Sequence, residues 1–239
     1  MKRALITGGG SGIGRTLAER FHDNGYAVTI CGRKLAPLED TAKGRDIRCY
    51  QADVTSESDI EALFDAPYDI VVANAGGGGA GKLASLSLEE WNTTLAVNLT
   101  GTFLTFRQAL CHPAAQMRLI AIASTASLKG NASVPAYTAA KHGVLGLVRS
   151  IALEMAKTGG TCNAICPGFT ETALSENAIM GLMERFDLSR DAALDKITAG
   201  NPQRRLISPD EIAATALFLA SAEASAINGH ALSVSGGEI

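Results

Sequence analysis

The sequence has few aromatic residues, no excess of positive charge, no long apolar run and no paired-cysteine motif. Aromatics make up 5% of its 239 residues, so large rings do not dominate its core. Lys and Arg number 21 against 24 Asp and Glu, a net charge of −3. That balance excludes a surface that binds polyanions by bulk charge, so neither nucleic acid nor an anionic membrane face is an expected partner. Apolar runs are as short as 119–123, which excludes a membrane-spanning helix. The opening Lys2-Arg3-Ala4-Leu5-Ile6 reaches Gly8 at once, which predicts no secretory signal peptide. The five cysteines (Cys31, Cys49, Cys111, Cys162 and Cys166) are odd in number and form no C-x-x-C. Neither a disulfide framework nor a zinc site is expected, and His22, His112, His142 and His230 show no metal-ligand spacing. The expected compartment is the cytoplasm, with the thiols reduced and mostly packed as small hydrophobes.

What is abundant is glycine, at 25 residues, together with an alternation of short apolar runs and longer amphipathic ones. Strands are predicted over 3–7, 27–31, 47–52, 69–74, 118–124, 161–166 and 230–234. Helices are predicted over 13–24, 35–43, 57–66, 88–110, 134–157 and 209–220. Alternation of this kind makes βαβ units, a parallel sheet and helices on both faces, so the fold class is α/β and the chain one domain. Ser56, Ser87 and Ser208 stand where N-caps are needed. The segment 172–205 breaks the rhythm with two further helices, at about 175–186 and 189–199. Beside the carboxyl ends of the strands such a lobe covers a ligand crevice, or is a packing excursion only.

The run Thr7-Gly8-Gly9-Gly10-Ser11-Gly12-Ile13-Gly14 follows the first strand and opens the first helix. It leaves main-chain N–H groups and a positive helix end free to face a pyrophosphate. It fits neither G-x-G-x-x-G nor a P-loop. After the second strand comes Cys31-Gly32-Arg33-Lys34, where an NAD site usually has an acidic residue for the adenosine ribose. A guanidinium there suits a 2′-phosphate, which predicts NADP(H) over NAD(H). The bland alternative is a pair of solvated strand-end charges.

Tyr137 and Lys141 are four apart, hence on one face of a helix. An ammonium beside a phenol would lower the phenol's pKa from about 10 and make it a usable acid. Such a pair also arises by chance on surface helices. Ser124 ends the fifth predicted strand, at the edge where open α/β sheets hold ligands, and its hydroxyl can hold a carbonyl. Asn98 is polar within an apolar helix, which points to a backbone or water contact.

Taken together, Thr7-Gly8-x-x-x-Gly12-x-Gly14, Asp53-Val54, Asn74-Ala75-Gly76, Asn98, Ser124, Tyr137-x-x-x-Lys141 and Pro167-Gly168-x-x-x-Thr172 resemble the short-chain dehydrogenase/reductase family, in its classical-length branch, over essentially the whole chain. The resemblance implies a Rossmann-like, doubly wound, seven-stranded parallel sheet with a small helical substrate lobe. It also implies roles. Tyr137 would protonate a carbonyl oxygen, Lys141 would hold the nicotinamide ribose, Ser124 would orient the substrate, and Asn98 would anchor a water in a proton relay. Gly8, Ser11, Gly12, Ile13 and Gly14 would line the pyrophosphate, with Arg33 on the 2′-phosphate. Asp53 and Val54 would meet the adenine. Asn74, Ala75, Gly76, Pro167, Gly168 and Thr172 would complete the cofactor site, and no metal is implied. Ala73 departs from the family's frequent Asn-Asn-Ala-Gly, and the four glycines at 76–79 predict a mobile loop.

The stretches Cys166–Thr172 and 192–204 look like those of 3-oxoacyl reductases and polyketide ketoreductases. The implied substrate is a 3-oxoacyl thioester of coenzyme A or a carrier protein. The alternatives are a secondary or cyclic alcohol or a steroid, and more remotely a nucleotide-sensing protein without chemistry. The lobe carries no basic excess for a carrier arm. Family members commonly form homotetramers through long helices such as 88–110 and 134–157. A serine hydrolase is excluded, because no G-x-S-x-G elbow occurs.

Overall fold

Successive strand residues point to opposite faces, and that parity sorts the helices of this chain. The computed structural model describes residues 1–239. Seven strands, β1 (Arg3–Thr7), β2 (Ala27–Gly32), β3 (Ile47–Gln51), β4 (Tyr68–Ala73), β5 (Pro113–Ile122), β6 (Thr161–Pro167) and β7 (Ala231–Val234), form one sheet in the order β3-β2-β1-β4-β5-β6-β7. Every pairing is parallel. On one face Ala4, Ile6, Val28, Ile30, Val72, Ile120, Ile122 and Ile165 meet α1 (Gly12–Asp23), α2 (Leu35–Ala42) and α9 (Pro209–Ala220). On the other, Leu5, Val71, Ala73, Ala121, Ala123, Ala164 and Cys166 meet α3 (Glu57–Ala62), α5 (Gly101–Cys111) and α6 (Pro135–Met155). The second face is lined mainly by small residues where α6 crosses it, so that helix lies close to the strands. Each large side chain that these helices bury, such as Phe21 of α1 on the first face or Leu145 of α6 on the second, stabilises the fold by about 1.5–3 kcal/mol.

The three serine caps form. Ser56, Ser87 and Ser208 accept from the N–H of Asp59, Glu90 and Asp210, and the last two sit in capping boxes. The lobe is α7 (Ala173–Phe186) and α8 (Arg190–Thr198).

Several boundaries differ from the sequence expectation; α3, for example, ends at Ala62 rather than 66, and most others move by one or two residues. The helix predicted over 88–110 is α4 (Leu88–Leu95), one widened π-type turn over Ala96–Thr100, and then α5. The Asn98 side chain causes the widening locally, because its Nδ2 donates to the Thr94 carbonyl at 2.8 Å, an acceptor the helix ladder would otherwise use. Strand β5 begins at Pro113 rather than 118, with an irregular register between Tyr68 and Ile70 and a left-handed Gln116. It ends at Ile122, and Ser124 instead caps a single 3₁₀ turn over Thr125–Ser127.

Cys31, Cys162 and Cys166 are buried, Cys49 half-buried and Cys111 exposed, all free. Burial pushes the Cys31 thiol up to about 12, so it packs as a neutral side chain. No helix is long and apolar enough to cross a membrane.

Candidate active site

The strand order reverses at β1 and β4, so their following loops diverge and open a crevice at the carboxyl edge of the sheet. Thr7, at the end of β1 and 1% exposed, closes its floor. Its hydroxyl accepts from the N–H of Asn74 and of Ala75, both at 3.0 Å. Asn74 Nδ2 donates to the carbonyls of Thr7 at 2.9 Å and Gly8 at 3.3 Å. On the other side the N–H groups of Gly8 and Gly9 donate to the Cys31 carbonyl at 2.8 and 3.2 Å. The glycine loop is thereby tied to both neighbouring strands.

Gly8 is left-handed, with φ +69°, and a Cβ on Gly14 would stand 2.1 Å from the Gly8 oxygen. No rotamer relieves a clash with backbone. Gly14→Ala is therefore expected to cost about 1–3 kcal/mol of stability and to weaken nicotinamide-nucleotide binding. Thermal unfolding and a binding titration check both. Unchanged binding would show that the loop relaxes without consequence.

Ser11 caps α1 in an extended conformation and makes no side-chain cap bond. The N–H groups at the head of α1 have no carbonyl one turn earlier to receive them. This uncapped, glycine-lined helix start fits a pyrophosphate. Ile13 is half-buried in the first turn, and Gly12 is left-handed, with φ +49°. Arg33 and Lys34 are exposed at the end of β2 and neither makes an ion pair. The Arg33 carbonyl accepts from Gln51 Nε2 at 3.1 Å, and no acidic side chain replaces it within Cys31-Gly32-Arg33. The donor set thus fits a phosphorylated dinucleotide.

Asp53 turns one carboxylate oxygen to the Thr55 N–H and hydroxyl, at 2.9 and 2.8 Å. Val54 is buried, and a Cβ on Gly101 of α5 would meet its Cγ2 at 2.8 Å. Its side chain therefore packs against α5. Pro167 ends β6, and the Gly168 N–H donates to the Val234 carbonyl at 3.0 Å. Thr172 heads α7 in a capping box with Ser175. Its Cγ2 would lie 3.0 Å from a Cβ on Gly12, so the lobe begins against the glycine loop.

The second half of the crevice gathers Asn98, Ser124, Tyr137 and Lys141. Asn98 is fully buried. It donates to the Gly77 carbonyl at 2.6 Å and accepts from the Gly77 N–H at 3.1 Å, clipping the glycine run expected to be mobile. Its own carbonyl accepts from the Thr102 hydroxyl at 2.8 Å. Gly77 is a partner the sequence did not single out; the glycine run was its only signal. A Cβ on Gly76 would lie 2.7 Å from Asn98 Oδ1 and 3.4 Å from Lys141 Nζ, so these two tips meet over Gly76.

Lys141 is 3% exposed and its ammonium donates to the Ile122 carbonyl at 2.8 Å. Burial pulls its pKa down to about 8. Tyr137 lies in the first turn of α6, with its ring centroid 5.5 Å from Nζ. The expectation that Lys141 lowers the phenol's pKa is not met in this chain alone. Burial pushes Tyr137 up, and a hydrogen bond with the Ser124 hydroxyl offsets this only in part. The reason is geometric, since the Lys141 charge is directed at the Ile122 carbonyl, while burial works against the charged phenolate. A neutral phenol is a proton donor, which suits carbonyl reduction. Ser124 Oγ accepts from the Ala126 N–H at 3.1 Å and keeps its own proton to offer.

A family model described as enoyl-(acyl carrier protein) reductase matches residues 8–238. A protein of Streptomyces coelicolor named as a ketoacyl reductase is 37% identical over 251 residues, covering 98% of this chain and 95% of its own. The (3R)-3-hydroxyacyl-CoA dehydrogenase of Rattus norvegicus is 32% identical over 256 residues, covering 98% and 95%. Among solved structures, an actinorhodin polyketide ketoreductase with NADPH superposes with a TM-score of 0.94 at 36% identity, covering 99% of this chain and 97% of that one.

Proposed function

The chain belongs to the short-chain dehydrogenase/reductase family, and from that membership we propose that this oxidoreductase uses NADPH to reduce a 3-oxoacyl thioester, on coenzyme A or a carrier protein, to the 3-hydroxyacyl product. The observation that carries the reading is the meeting of Ser124, Tyr137 and Lys141 in a fold whose first strand runs into the uncapped start of α1. The ketoacyl reductase and hydroxyacyl dehydrogenase names of its relatives support the acyl substrate.

The nicotinamide supplies a hydride to the carbonyl carbon when bound. The chain's own groups do the rest. Ser124 donates to the carbonyl oxygen and fixes its direction. Tyr137, neutral through burial, gives that oxygen its proton as charge develops. Lys141 turns from Ile122 toward the nicotinamide ribose and stabilises the phenolate left behind. Asn98 clips Gly77 and packs against Gly76 near Lys141, where it would help anchor a water for proton resupply. Gly8, Ser11, Gly12, Ile13 and Gly14 receive the pyrophosphate. Asp53, Val54, Asn74 and Ala75 border the adenosine half, and Pro167, Gly168 and Thr172 the nicotinamide end. The exposed Phe103 and Leu153, on α5 and α6, support assembly through those helices as a homotetramer.

Arg33 carries the cofactor choice. Arg33→Asp is expected to raise the KM for NADPH on the order of 10–100-fold and to leave that for NADH nearly unchanged. Steady-state rates with each cofactor check this, and an equal effect on both would remove Arg33 from the 2′-phosphate. The substrate class is tested by nicotinamide absorbance with acetoacetyl-CoA against a cyclic ketone. Faster turnover of the thioester is expected. Turnover confined to the cyclic ketone would overturn the thioester reading and keep the carbonyl reductase.

A further inference from the structure

In Ser235-Gly236-Gly237-Glu238-Ile239, Glu238 is not placed as an ordinary surface residue would be. Its side chain is 11% exposed, and Oε1 pairs with Lys129 Nζ at 2.7 Å. Its backbone is turned inward, with the Glu238 N–H donating to the Ser235 carbonyl at 3.3 Å. Two left-handed glycines bring it there, Gly236 at φ +63° and Gly237 at φ +90°.

The surroundings of this carboxylate join three separate loops. Lys129 belongs to the segment between Ser124 and Tyr137. Gly168 precedes Thr172, and a Cβ on it would lie 3.0 Å from Glu238 Oε2. Gly200 follows α8, and a Cβ on it would lie 3.6 Å from Glu238 Cγ. The tail also rests on the same lobe exit, since Gly236 lies against the Asn201 side chain and Gly237 against Pro202. Asn201 in turn donates to the Arg205 carbonyl at 2.8 Å. One acidic side chain thus touches the loop from Ser124 to Tyr137, the loop into the lobe and the loop out of it.

We propose that Glu238 is a positioning residue, a clasp that holds Lys129, and with it the loop between Ser124 and Tyr137, against both ends of the substrate lobe. A pair on an open surface would contribute little. This one is open on the Lys129 side, 44% exposed, but its acidic partner is only 11% exposed, so removing Lys129 leaves a shielded carboxylate without a counterpart. Small displacements of groups that orient a substrate are costly to the rate. The kinetic part of the proposal rests on the carbonyl reductase reading; the structural part does not.

The test uses the full chain with Glu238→Gln, Lys129→Met and Lys129→Arg. Amide hydrogen exchange is read at 128–134 and 168–172, alongside kcat and KM. Glu238→Gln and Lys129→Met are expected to speed exchange in both segments. They are expected to lower kcat about tenfold, with cofactor binding retained. Lys129→Arg keeps the cation and is expected to behave as the wild type. Unchanged exchange in Glu238→Gln overturns the clasp, whatever the substrate. A lowered thermal midpoint with kcat intact overturns the positioning role. A wild type that turns over no ketone defeats the functional reading instead, and the exchange measurement then still decides the clasp.

Discussion

Replacing Tyr137 by Phe is expected to lower carbonyl turnover by about 10²–10⁴-fold while nicotinamide-nucleotide binding stays intact. The substitution removes one hydroxyl and leaves the ring packed in the first turn of α6. No other neutral acid stands in that place, because Ser124 is a far weaker acid and Lys141 points at Ile122. The pH dependence gives a second handle. Burial keeps Tyr137 protonated above its ordinary range, so the phenol does not limit reduction near neutrality. Lys141, with its pKa pulled down to about 8, does. The kcat/KM for reduction, which reports the free enzyme, should fall as pH rises through about 8. Stopped assays across that range, with binding followed by nucleotide fluorescence, separate chemistry from affinity. A Tyr137→Phe enzyme with most of its rate would move the acid elsewhere.

The second large effect runs in two directions. Lys141→Met is expected to cut activity severely and yet to make the protein more stable. The ammonium is buried with the Ile122 carbonyl as its one hydrogen-bond acceptor. Its pKa falls from 10.5 in the unfolded chain to about 8 in the folded one. Between those values the unfolded chain binds more protons, so stability rises with pH across the window. Below about 8 both states are charged and the whole penalty is present. It is on the order of 3 kcal/mol, from about 1.4 kcal/mol for each unit of pKa. Methionine fills the same channel without a charge. Unfolding midpoints at neutral pH should therefore be higher for Lys141→Met, and the gap should narrow toward high pH. A variant less stable than wild type at neutral pH would mean that the folded chain holds this cation better than its contacts indicate.

The sheet, its two layers of helices and the glycine loop were legible because each rests on local pattern. Strand parity is written in Ala4-Leu5-Ile6 and Ile70-Val71-Val72, and a helix start in Ser11-Gly12-Ile13-Gly14. The interruption at Asn98 was not legible. Apolar residues keep their helical period across it, and its clip is Gly77, 21 residues away. The same distance effect hid the state of Lys141. Spacing alone placed it beside Tyr137, but its acceptor is the Ile122 carbonyl, 19 residues earlier on another element. Burial, which sets both pKa values, is a property of the assembled layers rather than of four adjacent residues. Glu238 carries no pattern at all; only the folded tail brings it to Lys129.

Strand β1 lies inside the sheet, with β2 on one edge and β4 on the other. Its pairing with β2 needs residues up to 31, whereas its pairing with β4 needs Ile70–Val72. A chain leaving the ribosome therefore exposes the free edge of Ala4-Leu5-Ile6 through the synthesis of two further helices and a strand. Unpaired apolar edges of this kind recruit other chains, and non-local parallel pairing is slow to relieve them. That edge is covered only when β4 arrives, so refolding of the whole chain is expected to be more sensitive to concentration than its finished stability would indicate.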